Sequence, residues 1–213
     1  MEKTPVQLRN EKLAAKVVQN LKRRHFDAYF VQTRAEAVRL ALSLIPEGNS
    51  VSWGGSATIR DIGLTQALHA GNYRVLDRDL ASAEQRMEVM RQALLVDTYV
   101  TSTNAISEDG QLVNVDGNGN RVAAMTFGPK SVVVVAGINK VAHTVEDAMV
   151  RARTVAAPIN AQRFPNAKTG CAVTGGCEKC TTEDCICCYL VTTRICRPAG
   201  KIKVILVGEE LGY

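Results

Sequence analysis

Apolar residues recur every three to four positions from about residue 8 to 24, where Leu13, Ala14, Val17, Val18 and Leu21 share one face of an amphipathic helix. Phe26 to Val31 then reads as a short buried strand. Thr33 and Glu36 have capping-box spacing and open a second helix, with Val38, Ala41, Leu42 and Ile45 on its inner face. Pro46-Glu47-Gly48-Asn49 stops it, and Ser50 to Trp53 is the next strand. A helix follows from about Thr58 to His69, then a strand from Tyr73 to Leu76. Ser82 and Gln85 cap a helix carrying Met87, Val89, Met90, Ala93 and Leu94, and Asp97 to Thr101 returns to strand.

The middle of the chain changes character. Ala105 to Ser107, Gln111 to Val115 and Val122 to Thr126 read as short strands separated by Glu108-Asp109-Gly110 and by Asp116-Gly117-Asn118-Gly119-Asn120, which is hairpin-turn chemistry. Ser131 to Ala136 holds consecutive valines at 132–135, a run that needs burial on both faces, as in the centre of a parallel sheet. Thr144 to Ala156 is a helix ending before Pro158, and Lys201 to Val207 is a last buried strand. Repeated β–α units with one antiparallel hairpin insertion predict an α/β protein: an open, mostly parallel sheet with helices on both faces, in one domain over 1–213.

Composition fits that expectation. Of 213 residues 46% are hydrophobic and 22% charged, enough for a sizeable core and too apolar for a disordered chain. The first residues lack a signal-peptide pattern and no run has the ~18 apolar residues of a membrane span, so the expected location is cytoplasmic, with thiols reduced. The net charge is +5, but its densest run, Lys22-Arg23-Arg24-His25, falls at a helix C-terminus, where cations complement the dipole. No nucleic-acid partner is expected; an oligomer is compatible with the sequence.

The chemistry is concentrated near the C-terminus. All seven cysteines, Cys171, Cys177, Cys180, Cys185, Cys187, Cys188 and Cys196, lie in a segment at 168–198 rich in Thr, Gly, Lys and Glu. Small buried hydrophobes would scatter through the core instead. Cys177-Glu178-Lys179-Cys180 is a chelating step, because two intervening residues let both sulfurs converge on one centre. An odd count in a reducing compartment argues against disulfides, and a redox Cys-x-x-Cys needs only two thiols. The expectation is a metal site: an iron–sulfur cluster, [4Fe-4S] for choice, since irregular spacings bunched in one loop fit it better, with zinc as the alternative.

A second group of residues suggests a small-molecule site. Gly54, Gly55, Ser56 and Thr58 form a strand–turn–helix junction able to hold a phosphate or carboxylate, without the Lys of a P-loop or a dinucleotide fingerprint. Asn104, Asn114, Asp116, Gly117, Asn120 and Arg121 crowd together in sequence, and Asn139 and Lys140 follow the valine strand, at the edge where open α/β sheets place ligands. Each has a turn explanation; together they predict an anion-friendly cleft to which Lys140 supplies charge. Asp116 is the carboxylate best placed for chemistry and His143 the histidine nearest the cleft, but no catalytic set can be assigned.

Several stretches resemble the LUD-domain, or lactate-utilisation, family: Ser52-Trp53-Gly54-Gly55-Ser56, Thr103-Asn104-Ala105-Ile106, residues 112–124, Phe127-Gly128-Pro129, residues 134–140, residues 156–161 and the tail from Lys201 to Tyr213. The resemblance implies a fold like that of the sugar-phosphate isomerases and CoA-transferases. It implies a role in lactate oxidation alongside iron–sulfur or dehydrogenase partner proteins. Relatives with a cysteine loop show C-x5-C-x2-C-x6-C, which here selects Cys171, Cys177, Cys180 and Cys187 and leaves Cys185, Cys188 and Cys196 as extra or alternative ligands. Three functional readings result. The first is a lactate-utilisation protein with a metal site and a small anionic metabolite. The second is an autonomous transferase or isomerase whose metal loop is structural. The third is a redox-sensing or assembly subunit of a lactate-oxidising complex.

Overall fold

The computed structural model describes residues 3–213. Helix α1 (Pro5–Arg23) starts earlier than its apolar face suggests, because Thr4 caps it: Thr4 Oγ1 accepts from Gln7 N and Gln7 Oε1 accepts from Thr4 N, with Pro5 in the first turn. Strand β1 (Asp27–Val31) and helix α2 (Arg34–Ser43) follow, the latter capped by Thr33 and Glu36 as expected. After β2 (Ser50–Trp53) the expected single helix is two, α3 (Ala57–Asp61) and α4 (Leu64–Ala70), divided at Gly63, whose φ of +82° breaks the ladder. Then come β3 (Arg74–Leu76), α5 (Ala83–Gln92, capped by Ser82) and β4 (Thr98–Thr101).

Strands β5 (Ala105–Ser107) and β6 (Leu112–Asp116) pair antiparallel across Glu108-Asp109-Gly110, with Gly110 at φ +89°. The next expected strand is absent. Asn120–Thr126 is helix α6, entered through left-handed Gly119, so Asp116–Asn120 is a strand-to-helix turn and not a hairpin. Its apolar residues Val122, Ala124 and Met125 are buried at helical as much as at strand spacing. Strand β7 (Ser131–Gly137) runs into a 3-10 turn (Ile138–Lys140) and the short β8 (Val141–Ala142). Helix α7 (Val145–Arg151) does not end before Pro158; it passes through a wide π turn (Ala152–Ala156) into α8 (Ala157–Ala161). Pro158 is tolerated because it falls in the first turn of α8, where its missing N–H costs least. Two elements lie in the cysteine segment read as loop: α9 (Gly170–Thr174) and β9 (Tyr189–Thr193). Strand β10 (Ile202–Val207) closes the fold.

The main sheet has six parallel strands in the order β1-β10-β7-β4-β2-β3, and β8-β5-β6-β9 form a mixed second sheet. In β7, Val132, Val134 and Ala136 face a core with Leu21 of α1, while Val133 and Val135 face another with Ile59, Leu64 and Leu68. The valine run is therefore buried on both faces, as its composition requires. The second sheet packs Ala105, Val113 and Val115 on Ala148 and Ala152. Among the described residues, no helix is long and apolar enough to cross a membrane.

Candidate functional site

Because the six strands are parallel, the loops after β2, β3, β4 and β7 all emerge at one edge of the sheet. From β2 the chain moves outward to β3, and from β4 it moves inward to β7. Adjacent strands β2 and β4 thus flank a topological switch point, which opens a crevice at their carboxyl ends. A cleft of about 720 Å³ lies there. Its floor is made by Gly54–Thr58, Arg78, Ser102–Asn104 and Lys140, and one wall by Asp116–Asn118, Asn120 and Arg121. The opposite wall comes from Asn160, Arg163 and the cysteine segment, through Glu183, Asp184, Cys185, Ile186 and Cys188.

Arg121 holds the wall to the floor. Its Nη1 donates to Ser102 O (3.1 Å) and Asn114 Oδ1 (2.5 Å), its Nη2 to Asn104 Oδ1 (2.9 Å) and Val115 O (2.8 Å), and its Nε lies 3.6 Å from Asp116 Oδ1. Asp116 Oδ2 also accepts from Val122 N, pinning the start of α6. Asp116 is thereby a positioned ion-pair partner and not a free acid. Asn114 and Asn139 do not line the cleft. Asn114 is buried beneath Arg121, and Asn139 ties down the C-terminal tail, accepting from Leu211 N and donating to Gly212 O. His143 is also elsewhere: it is exposed, with Nδ1 3.4 Å from Glu108 of the β5–β6 turn.

Lys140 is buried on the cleft floor. Its Nζ donates to Thr58 Oγ1 (2.9 Å), Ser102 Oγ (3.0 Å) and Thr103 O (3.2 Å), with no carboxylate partner. Burial, with Arg151 and Arg121 nearby, lowers its amine to about 7, which corrects the expectation of a full fixed charge. The glycine turn is a close-approach point. A Cβ on Gly54 would lie 2.9 Å from Tyr99 Oη, and one on Gly55 would collide with Arg78 Nη2. Arg163 Nη1 donates to Gly55 O (2.6 Å) and to Asn160 Oδ1 (3.2 Å). Tyr99 Oη and Arg78 Nε are buried without a hydrogen-bond partner.

Arg78, Arg86 and Arg163 were not expected here: Arg78 carried a usable signal, following a predicted strand at its carboxyl end, but nothing local marks Arg86 or Arg163. Arg78 has Asp79 at 3.6 Å and Arg121 has Asp116. Among the described residues, no carboxylate pairs with Arg86, Arg163 or Lys140. Acidic groups do reach the rim, where Asp184 accepts from Lys168 N.

The cysteines divide. Cys196 sits in the main core, its Sγ donating to Pro198 O (3.2 Å) and accepting from Ile202 N (3.3 Å), and is thus a packed core thiol and not an extra ligand. The others curl together: Gly175 (φ +78°) and Lys179 (φ +51°) turn the chain around Cys177 and Cys180. Cys187 is pushed up to about 12, first by burial and then by the neighbouring Cys185, Cys171, Cys177 and Cys180. Three of the four cysteines selected by spacing, and Cys185 besides, thus fall within electrostatic reach of the fourth, Cys187. An all-sulfur donor set of this kind suits a soft metal centre. Among the described residues, however, no three His, Cys, Asp or Glu side chains stand close enough to hold a metal ion as they are arranged. Cys185 and Cys188, with two residues between them, line the cleft, so the cysteine segment and the anion-friendly cleft are contiguous.

The LUD-domain model matches residues 14–207. The chain belongs to the LUD-domain family. Among solved structures, a DUF162 family protein from Deinococcus radiodurans is similar at 12% identity, with 93% of this chain and 98% of that one covered and a TM-score of 0.52, a likeness of fold. A weaker similarity, TM-score 0.33 at 16% identity over 62% of this chain and 52% of that one, is to eIF2B delta from Chaetomium thermophilum. No curated protein matches. Within this LUD domain, several of the stretches carrying the family resemblance meet at the cleft: Gly54–Ser56, Thr103-Asn104, Asp116–Asn118, Asn120, Arg121, Lys140 and Asn160 all line it.

Proposed function

We propose that this LUD-domain protein binds a small organic anion in the switch-point cleft and carries a metal in the adjoining cysteine segment, serving lactate or related organic-acid metabolism in the cytoplasm. The observation that carries the reading is the pair of cations without carboxylate partners, Arg86 and Arg163, beside a glycine turn at the sheet edge. A carboxylate or phosphate supplies the missing acceptors, and Arg163, held by Gly55 O and Asn160, is already oriented for it. Titration of inorganic phosphate and L-lactate by calorimetry or NMR tests this. Arg163→Gln weakens binding by roughly 10- to 100-fold, the worth of one charge-assisted hydrogen bond, whereas Arg39→Gln, on the exposed face of α2, leaves it unchanged. Equal binding by both variants sinks the assignment.

For the metal, Cys171, Cys177, Cys180 and Cys187 are the proposed ligands: the first three lie within electrostatic reach of Cys187, whereas Cys196 is packed in the main core. Irregular spacings bunched in one segment, with more than four thiols, suit a multi-iron cluster, which spreads its thiolates over several irons, better than a single tetrahedral zinc. Bound there, it would supply electron transfer beside the cleft, and electron-carrying proteins are the proposed partners. Ligation requires displacing thiol protons, that of Cys187 held in place by burial, so uptake is expected to improve with rising pH. Iron, sulfide and zinc are measured on anaerobically purified protein. Cys187→Ser loses most of the bound metal and Cys196→Ser retains it; a colourless protein with stoichiometric zinc overturns the cluster.

A further inference from the structure

Lys140 is an unusual residue to bury for structure alone. Its amine contacts two hydroxyls and a carbonyl, no carboxylate, and faces a cleft. Desolvating an ammonium costs several kcal/mol, more than the packing of its aliphatic stem requires. Its neighbours Arg151, bonded to Asn139 O and Asn104 O, and Arg121 add positive charge that opposes protonation. A lysine kept neutral by burial and adjacent cations is a nucleophile at neutral pH.

We propose that Lys140 is a carbonyl-reactive amine: its Nζ condenses with the aldehyde or ketone carbon of a ligand whose anionic group is held by Arg86 and Arg163. This rests on the anion-binding reading and adds the substrate class, a carbonyl compound carrying a carboxylate or phosphate.

The groups around Nζ support such a step. Thr103 O can only accept, so it fixes one N–H. The Thr58 and Ser102 hydroxyls can donate or accept, and Ser102 Oγ has Thr103 O as an alternative acceptor at 3.4 Å. Turning Ser102 to that carbonyl leaves the nitrogen lone pair free toward the cleft. The lone pair then forms a C–N bond while the carbonyl π pair moves to oxygen. That oxygen takes a proton from a hydroxyl, which is replenished from Nζ. Loss of one water gives the imine, and hydrolysis reverses it; no oxidant or reductant is consumed. The tail at residues 209–213, held by Asn139, passes close to Nζ, and Gly212 has no Cβ to crowd Thr58 there.

The test is reductive trapping on the full chain. Protein is incubated with sodium cyanoborohydride and pyruvate, dihydroxyacetone phosphate or acetone, then analysed by intact mass and peptide mapping, while phosphate and L-lactate binding is measured on the same preparation. A single stoichiometric adduct mapping to Lys140 with pyruvate identifies the carboxylate form, and with dihydroxyacetone phosphate the phosphate form. Either is abolished in Lys140→Arg, whose fold is checked by its melting profile. Adducts scattered over surface lysines, or equal labelling by acetone, overturn the proposal. Anion binding without any adduct overturns it while leaving the binding assignment intact; absence of both removes the two together.

Discussion

Between about pH 6 and about pH 9.5, the stability difference between a Lys140→Met variant and the parent chain is expected to move in the parent's favour by about 3 kcal/mol. Lys140 is lowered from 10.5 to about 7 by burial, with Arg151 and Arg121 contributing. Below pH 7 the amine is protonated in the native and the unfolded chain alike, and the native state carries the whole cost of a buried ammonium. Between about 7 and 10.5 the native amine is neutral while the unfolded one is still charged. The unfolded state then binds more protons, so parent stability rises with pH, and above 10.5 the penalty is gone. Met keeps the volume of the stem and titrates nowhere. Losing the three hydrogen bonds of Nζ subtracts a pH-independent amount, so the slope, and not the offset, reports the amine. Urea unfolding of both proteins across this range measures it. A flat difference would mean that Lys140 keeps an ordinary pKa, and the nucleophilic role would lose its support.

How far this site was legible depended on whether its residues mark themselves locally. Strands β7 and β10 are readable from apolar runs, broken in β10 only by Lys203, because a strand covered on both faces has little polar alternation to confuse. Thr33-Glu36 and Ser82-Gln85 were equally plain, since a cap is a contact between near neighbours. The stretch 122–126 misled because short apolar runs satisfy either period, and only left-handed Gly119 decides for a helix. Strand β9 was hidden by its setting: it pairs with β6, so its register with Leu112–Asp116 is fixed by a partner some eighty residues away in the chain. The cleft shows the same divide. Gly54, Gly55, Asp116 and Lys140 follow strands or fill turns and could be placed on one edge. Arg86 lies on α5 and Arg163 beyond α8, and only the crossover topology brings them to that edge. The separation of Cys196 from its neighbours was likewise invisible to spacing, since it is settled by contacts with Pro198 and Ile202 in the main core.

Arg121→Ala is expected to cost about 3–5 kcal/mol of stability and to abolish anion binding in the cleft. The guanidinium is the joint between the sheets. It bonds the loop after β4 at Ser102 O and Asn104, and the second sheet at Asn114 and Val115 O. Its removal takes a donor from four acceptors, of which Asn104 Oδ1 keeps Val115 N and Ser102 O keeps Thr101 Oγ1, and leaves Asp116, a largely buried carboxylate, without its counter-charge. Lysine is not a substitute, since one ammonium with three donors from a single point cannot serve two pairs of acceptors in a planar fork. Arg121→Lys should therefore recover less than half of the loss. Urea midpoints for Arg121→Ala, Asn104→Ala and the double variant test the coupling: the double costs clearly less than the sum, because both changes break the same bond. Additive costs would mean that Arg121 and Asn104 act independently. The wall of the cleft would then owe its position to the packing of α6 alone, and Arg121 would be free to meet a ligand directly.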